Sequence, residues 1–198
     1  MEDLENYIPK NSLSQINKWI KELNINVKKS IERKTKLGDF RCTSNGKYII
    51  SINENLNKYS FLITLTHEIA HAFVYDEYFN KVNPHGIEWK ITFRKMMINF
   101  LHPNIFPRDI MQSLSIHLKN PKASTINDYN LSKALRLYDK DPKTILDEIP
   151  NGSIFYTSNG RKFQKLGKIR TRYKCKEISS NNIYLFNALA IVNISNDN

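Results

Sequence analysis

The chain has 198 residues, 40% of them hydrophobic and 25% charged, which is the make-up of a protein with a buried core and excludes a large multidomain machine. Thirty Lys and Arg against nineteen Asp and Glu leave a formal charge of +11, so an anionic partner is expected, nucleic acid before others. Only Cys42 and Cys175 are present, which excludes a disulfide framework or a zinc site of paired cysteines within the chain and fits a reducing compartment.

Residues 1–10 are acidic and polar with no apolar leader core, and no run approaches the ~18 apolar residues of a membrane span. A cytoplasmic protein without a membrane partner is expected. Leu13, Ile16, Trp19, Ile20 and Leu23 recur at helical spacing, and Ser12 with Gln15 reads as a capping box at the start of that helix. Residues 25–33 and 40–52 are rich in β-branched and aromatic side chains, and Asn45-Gly46 marks a hairpin in the second stretch. A small sheet is expected there.

From Lys58 to Tyr78 the residues Phe61, Leu62, Leu65, Ile69, Ala72 and Phe73 follow the helical period without Gly or Pro, which predicts a central buried helix. Asn83-Pro84-His85-Gly86 breaks the chain, and Trp89, Phe93, Met96, Met97 and Phe100 predict a further helix ending before Pro103. Residues 1–102 therefore read as one α+β domain. Short helical patterns separated by Asn120-Pro121 and Asp141-Pro142 make residues 103–149 a helical connector. After Asn151, β-rich runs alternate with Asn151-Gly152, Asn159-Gly160 and Asn181-Asn182, which predicts a small all-β module over residues 150–198.

The central helix carries His67, Glu68 and His71, an HExxH pattern. At i and i+4 both imidazoles lie on one helix face and reach one metal ion, while Glu68 projects beside them, placed to take a proton from water acidified by that ion. Five residues make a short pattern, but two histidines and a glutamate in the middle of an apolar helix would otherwise be buried polar groups in need of partners. The third ligand is to be found among His85, Glu77 and Glu88. The HExxHxxGxxH continuation of the metzincins is excluded by Val74 and Glu77. His85 is preferred over Glu88 because it sits at a Pro-Gly break where the chain must turn back, and three neutral nitrogens select zinc over harder cations.

Four stretches together resemble the SprT-like metalloproteases: Thr35-Lys36-Leu37-Gly38, the strand ending Ile50-Ser51-Ile52-Asn53, Thr66-His67-Glu68-Ile69-Ala70-His71-Ala72, and Pro84-His85-Gly86-Ile87-Glu88-Trp89-Lys90. The resemblance covers roughly residues 10–102. It implies a zincin-like catalytic domain, a small sheet with an active-site HExxH helix, in which His67, His71 and His85 bind one catalytic Zn2+ and Glu68 is the general base. It also implies cleavage of protein substrates, with DNA-bound or DNA-crosslinked proteins among them. The strand from Lys47 to Ile52 is then a candidate edge for pairing with a substrate strand, its alternative being an ordinary core strand.

Between Gly160 and Lys176 stand Arg161, Lys162, Lys165, Lys168, Arg170, Arg172, Lys174 and Lys176 with no acidic residue, and Phe163 and Tyr173 are interleaved. Cations beside stacking rings describe a surface for single-stranded or damaged DNA, against a solvated strand face whose rings belong to a core. A second basic group, Lys28, Lys29, Arg33, Lys34 and Lys36, accompanies the sheet. Many SprT-like proteins carry a zinc ribbon at the C-terminal position. Here Arg170-Thr171-Arg172-Tyr173-Lys174-Cys175 and Ile183-Tyr184-Leu185-Phe186 resemble a ribbon-derived module that lost its cysteines. The expected protein is a monomeric zinc endopeptidase, and the competing reading is a nucleic-acid-binding protein with a structural metal site. A peptidase unconnected with DNA is a third.

Overall fold

The computed structural model describes residues 4–33, 36–124 and 128–194; Lys34 and Thr35 lie outside the described residues. The chain divides into two compact units, Met1–Lys140 and Asp141–Asn198.

The first unit mixes helices with a three-stranded sheet. Helix α1 (Leu13–Glu22) buries Ile16, Trp19 and Ile20, as its periodicity predicts. The expected capping box is not formed: Ser12 ends a 3-10 turn in a helical conformation, and its hydroxyl donates to Pro9 O at 2.6 Å instead of accepting from the helix. Strands β1 (Asn26–Ser30), β2 (Gly38–Cys42) and β3 (Tyr48–Asn53) follow, in the order β1-β3-β2, with β3 parallel to β1 and antiparallel to β2. Asn45-Gly46 turns the β2–β3 hairpin with Gly46 at φ +75°, where a side chain would be strained.

The expectation that Lys47–Ile52 offers a free edge is corrected here, because β3 is the central strand, paired on both sides. Ile50 and Ile52 are fully buried, so the most apolar strand takes the middle. The polar strands with Lys28, Lys29, Asp39 and Arg41 take the edges, where charge discourages stray pairing.

Helix α2 (Lys58–Tyr78) is buried over most of its surface, and its start is capped by Asn57, whose side chain accepts from Tyr59 N at 3.1 Å and Ser60 N at 3.0 Å. Helix α3 (Ile87–Ile98) packs Trp89, Phe93, Met96 and Met97 into the same core. Helices α4 (Arg108–His117) and α5 (Tyr129–Arg136) add Ile110, Leu114, Leu131 and Leu135 to it. Asn57 Nδ2 also donates to Leu135 O at 3.0 Å, tying α5 to the start of α2. Residues 103–149, read from the sequence as a connector, are thus divided between the two units at Lys140.

The second unit is an antiparallel sheet of β4 (Ile154–Tyr156), β5 (Lys162–Ile169), β6 (Arg172–Glu177), β7 (Ile183–Asn187) and β8 (Asn193–Ile194), ordered β7-β6-β5-β4-β8. Phe155, Phe163 and Phe186 meet with ring centroids 4.9–5.7 Å apart and form its core with Ile145, Leu146 and Cys175. The chain is therefore α+β with a separate all-β unit. Among the described residues no helix is long and apolar enough to cross a membrane.

Candidate metal centre

Three segments of the first unit supply the site. Helix α2 brings His67 and His71 one turn apart, and the break before α3 brings His85 to them. The Nε2 atoms lie 3.2 Å apart for His67 and His71, 3.0 Å for His71 and His85, and 3.3 Å for His67 and His85. Among the described residues these three form the one group of His, Cys, Asp or Glu able to hold a metal ion, and neither Glu77 nor Glu88 joins it.

Burial is the main force on these imidazoles. It pushes His67 down to about 2, with His71 and His85 adding to the effect, and His71 down to about 3; His85, more open, is lowered for the same reason. All three are neutral at physiological pH, the form in which a histidine binds metal.

Trp89 braces the cluster, a feature that the sequence reading did not single out as functional. Its indole ring lies 4.5 Å from His67, 4.8 Å from His85 and 5.2 Å from His71, stacked on the last, and its N–H donates to His67 O at 3.4 Å. Phe93 stacks behind it at 5.0 Å. The available signal was the spacing: Trp89 follows His85 by four residues, in the first turn of α3.

Glu68 is buried on the β2 side of α2. Burial, reinforced by the charge of Asp39, pushes its carboxyl up to about 8, against the opposing pull of a Phe40 backbone N–H and of Arg33 and Lys36. The N-terminal end of β2 is anchored through Asn53, whose Nδ2 donates to Arg33 O and Lys36 O at 3.1 Å each while its Oδ1 accepts from Arg33 Nε at 2.8 Å. His67, Glu68, His71, His85 and residues 38–40 of β2 line one cleft of about 390 Å³.

The family model for SprT-like proteins matches residues 10–109, half of the chain. The chain belongs to the SprT-like family. Among curated proteins none matches it. The family match ends within α4, so most of this SprT-like chain's helical extension and all of its β unit lie beyond it.

In that β unit the expected nucleic-acid residues are not equivalent. Lys165 is 3% exposed, its ammonium donating to Leu146 O at 2.8 Å and Ile149 O at 2.6 Å and lying 3.8 Å from the centre of the Tyr173 ring. It is a core residue, because strand alternation turns it inward with Phe163. Arg161 pairs with Glu177 at 2.7 Å, Lys168 faces Asp147 at 3.4 Å, and Lys162 lies over Tyr156. Arg170, Arg172 and Lys174 are exposed, and Lys176 is half-buried. Phe163 and Tyr173 are buried, so the rings expected to stack on bases are turned into the core.

Proposed function

We propose that this SprT-like protein is a zinc-dependent endopeptidase. The observation that carries the reading is the convergence, in one cleft, of three neutral imidazole nitrogens, a buried carboxylate and a strand at the edge of its sheet.

His67, His71 and His85 would hold the ion. Tetrahedral ligands at 2.0–2.1 Å from zinc stand about 3.3 Å from one another, and the Nε2 spacings of 3.0–3.3 Å fit that triangle. Zinc bound there supplies Lewis acidity, which polarises a peptide carbonyl and makes water a nucleophile at neutral pH. Glu68, buried beside the histidines, accepts the proton of the attacking water in its ionised form, which the positive charge of a bound zinc ion would favour, and delivers it to the leaving amine. The substrate strand, expected on Lys47–Ile52, is better assigned to the edge of β2, where Gly38, Asp39 and Phe40 line the cleft.

The reading extends to DNA-bound proteins through Arg170, Arg172 and Lys174, whose exposure suits phosphate contacts. Phe163 and Tyr173, being buried, take no part in base stacking. The test of the main reading is zinc content together with digestion of an unfolded protein by wild type and by Glu68→Gln. A zinc-loaded wild type that leaves the substrate intact overturns it in favour of a structural metal site.

A further inference from the structure

The cleft continues beyond the histidines. On α2 the face that carries His67 and His71 goes on to Val74 and Tyr75, and the helix closes with Phe79; all three line the cleft, with Phe40 of β2 and Val82 facing them. Phe40 and Tyr75 meet edge to face with centroids 5.8 Å apart, and Tyr75 and Phe79 at 5.7 Å. One end of the cleft is thus polar, and the other is an aromatic wall.

Phe79 is the least expected member of that wall. It follows the last turn of α2 with φ +54° and ψ −134°, its N–H bonded to Tyr75 O at 2.7 Å. Glycine ordinarily takes such a conformation, and a bulky side chain there is strained. The ring is nevertheless 61% exposed, so burial within the fold does not offset the strain. Burial beneath a bound ligand would.

We propose that Phe40, Val74, Tyr75, Phe79 and Val82 form a subsite for an aromatic or large aliphatic side chain of the substrate, within two residues of the scissile bond. The inference rests on the endopeptidase reading and names its substrate class: unfolded segments that expose apolar side chains. The dimensions agree, since Val74 and Tyr75 stand about 4.5–6 Å of helix rise beyond His71 and an extended peptide advances about 3.3 Å per residue. A nucleobase is the other flat apolar group that such a wall accepts, but Asp39 lines the same cleft and disfavours the phosphates that accompany it.

The test uses the zinc-loaded full chain, an unfolded protein mixture whose cut sites are read by mass spectrometry, and two decapeptides that differ by one Phe or Ala. Phe, Tyr, Leu or Met should be enriched at one position within two residues of the cut. Phe79→Gly should keep zinc and lose no thermal stability, because glycine suits the backbone, yet should reduce the Phe-to-Ala preference at least about tenfold. Tyr75→Leu should narrow the preference from aromatic to aliphatic. Fluorescence anisotropy with Glu68→Gln measures binding without cleavage and should favour the Phe peptide. Cleavage without enrichment, an unchanged preference in Phe79→Gly, or displacement of the Phe peptide by a short single-stranded oligonucleotide overturns the subsite alone. Preferential binding of the Phe peptide with no cleavage by wild type supports the subsite and overturns the endopeptidase reading.

Discussion

Gly38 lies so close to Glu68 that a Cβ on it would stand 2.9 Å from both Glu68 Oε1 and Cγ, and 2.7 Å from Thr64 Cγ2. The strand that faces the cleft therefore meets α2 without a methyl group between them. Real Cβ atoms do not approach so near, and Thr64 and Glu68 are both buried on a helix that cannot easily retreat.

Gly38→Ala should fold, at a cost of about 1–3 kcal/mol for the overpacking, and should keep its metal because no histidine is touched. It should lose proteolysis by about 10²-fold, the usual consequence of an ångström-scale displacement of a reacting group. Steady-state kinetics beside metal analysis check this. Full activity in a folded Gly38→Ala variant would show that the close approach of Gly38 does not set the position of Glu68.

Zinc should be present at one ion per chain, and His85→Ala should release most of it, since two histidines leave the site a ligand short. Glu88→Ala should retain it, because Glu88 stands outside the group formed by His67, His71 and His85. Elemental analysis of the two variants decides between them, and the reverse pattern would transfer the third-ligand role to Glu88.

Glu68→Gln should hold zinc and fold but cut nothing, because an amide cannot accept the proton of the attacking water. A general base contributes ~10²- to 10⁴-fold, which a gel-based digestion resolves. Turnover at the wild-type rate would remove Glu68 from the mechanism.

What could be read in advance depended on how local the signal was. The gathering of His67 and His71 follows from a four-residue spacing, and the convergence of His85 from a Pro-Gly break that forces the chain to turn. The place of β3 in its sheet was not legible, because a hairpin signal at Asn45-Gly46 says nothing of β1 arriving on the other side. Lys165 departs from its expected surface role for a related reason: strand alternation turns it inward with Phe163, where two carbonyls and a tyrosine ring receive its ammonium. Composition counts its charge without knowing its face. Gly38 and Phe79 carried signals of another kind, a small residue where backbone meets helix and a large one at a helix end that favours glycine.

In the β unit, hydrogen bonds from Arg161 and Ser180 hold the Glu177 carboxyl down at about 2, from an ordinary value near 4.5. A carboxyl depressed by folding stabilises the native state above its unfolded value, and that contribution fades as pH falls toward the folded one. The protection of amides in β5 and β6, taken relative to their intrinsic exchange rates at each pH, should therefore fall progressively between pH 4.5 and 2. Glu177→Gln should exchange faster at neutral pH and lose that part of the acid dependence. An unchanged acid profile in the variant would show that the pair with Arg161 contributes nothing to the unit.

The exposed cations of the same unit make the last prediction. If Arg170, Arg172 and Lys174 contact phosphates, each contact releases counterions, and affinity for single-stranded DNA should fall with a log-log salt slope of about −0.7 per contact. Replacing all three with Ala should weaken binding and flatten the slope by about two units without altering zinc content. Lys165→Met is the contrasting case. Its ammonium is buried among protein carbonyls, so the variant should destabilise the β unit and, where folded, keep the wild-type salt slope. Phe163 and Tyr173 are buried and do not stack on bases, so oligomers of different base composition should bind within a few-fold of one another. Binding titrations at several salt concentrations on the folded variants distinguish these outcomes. A triple variant with an unaltered slope would make this stretch a solvated face and move the phosphate contacts elsewhere, with Lys28, Arg33 and Lys36 beside the sheet of the first unit the next residues to replace.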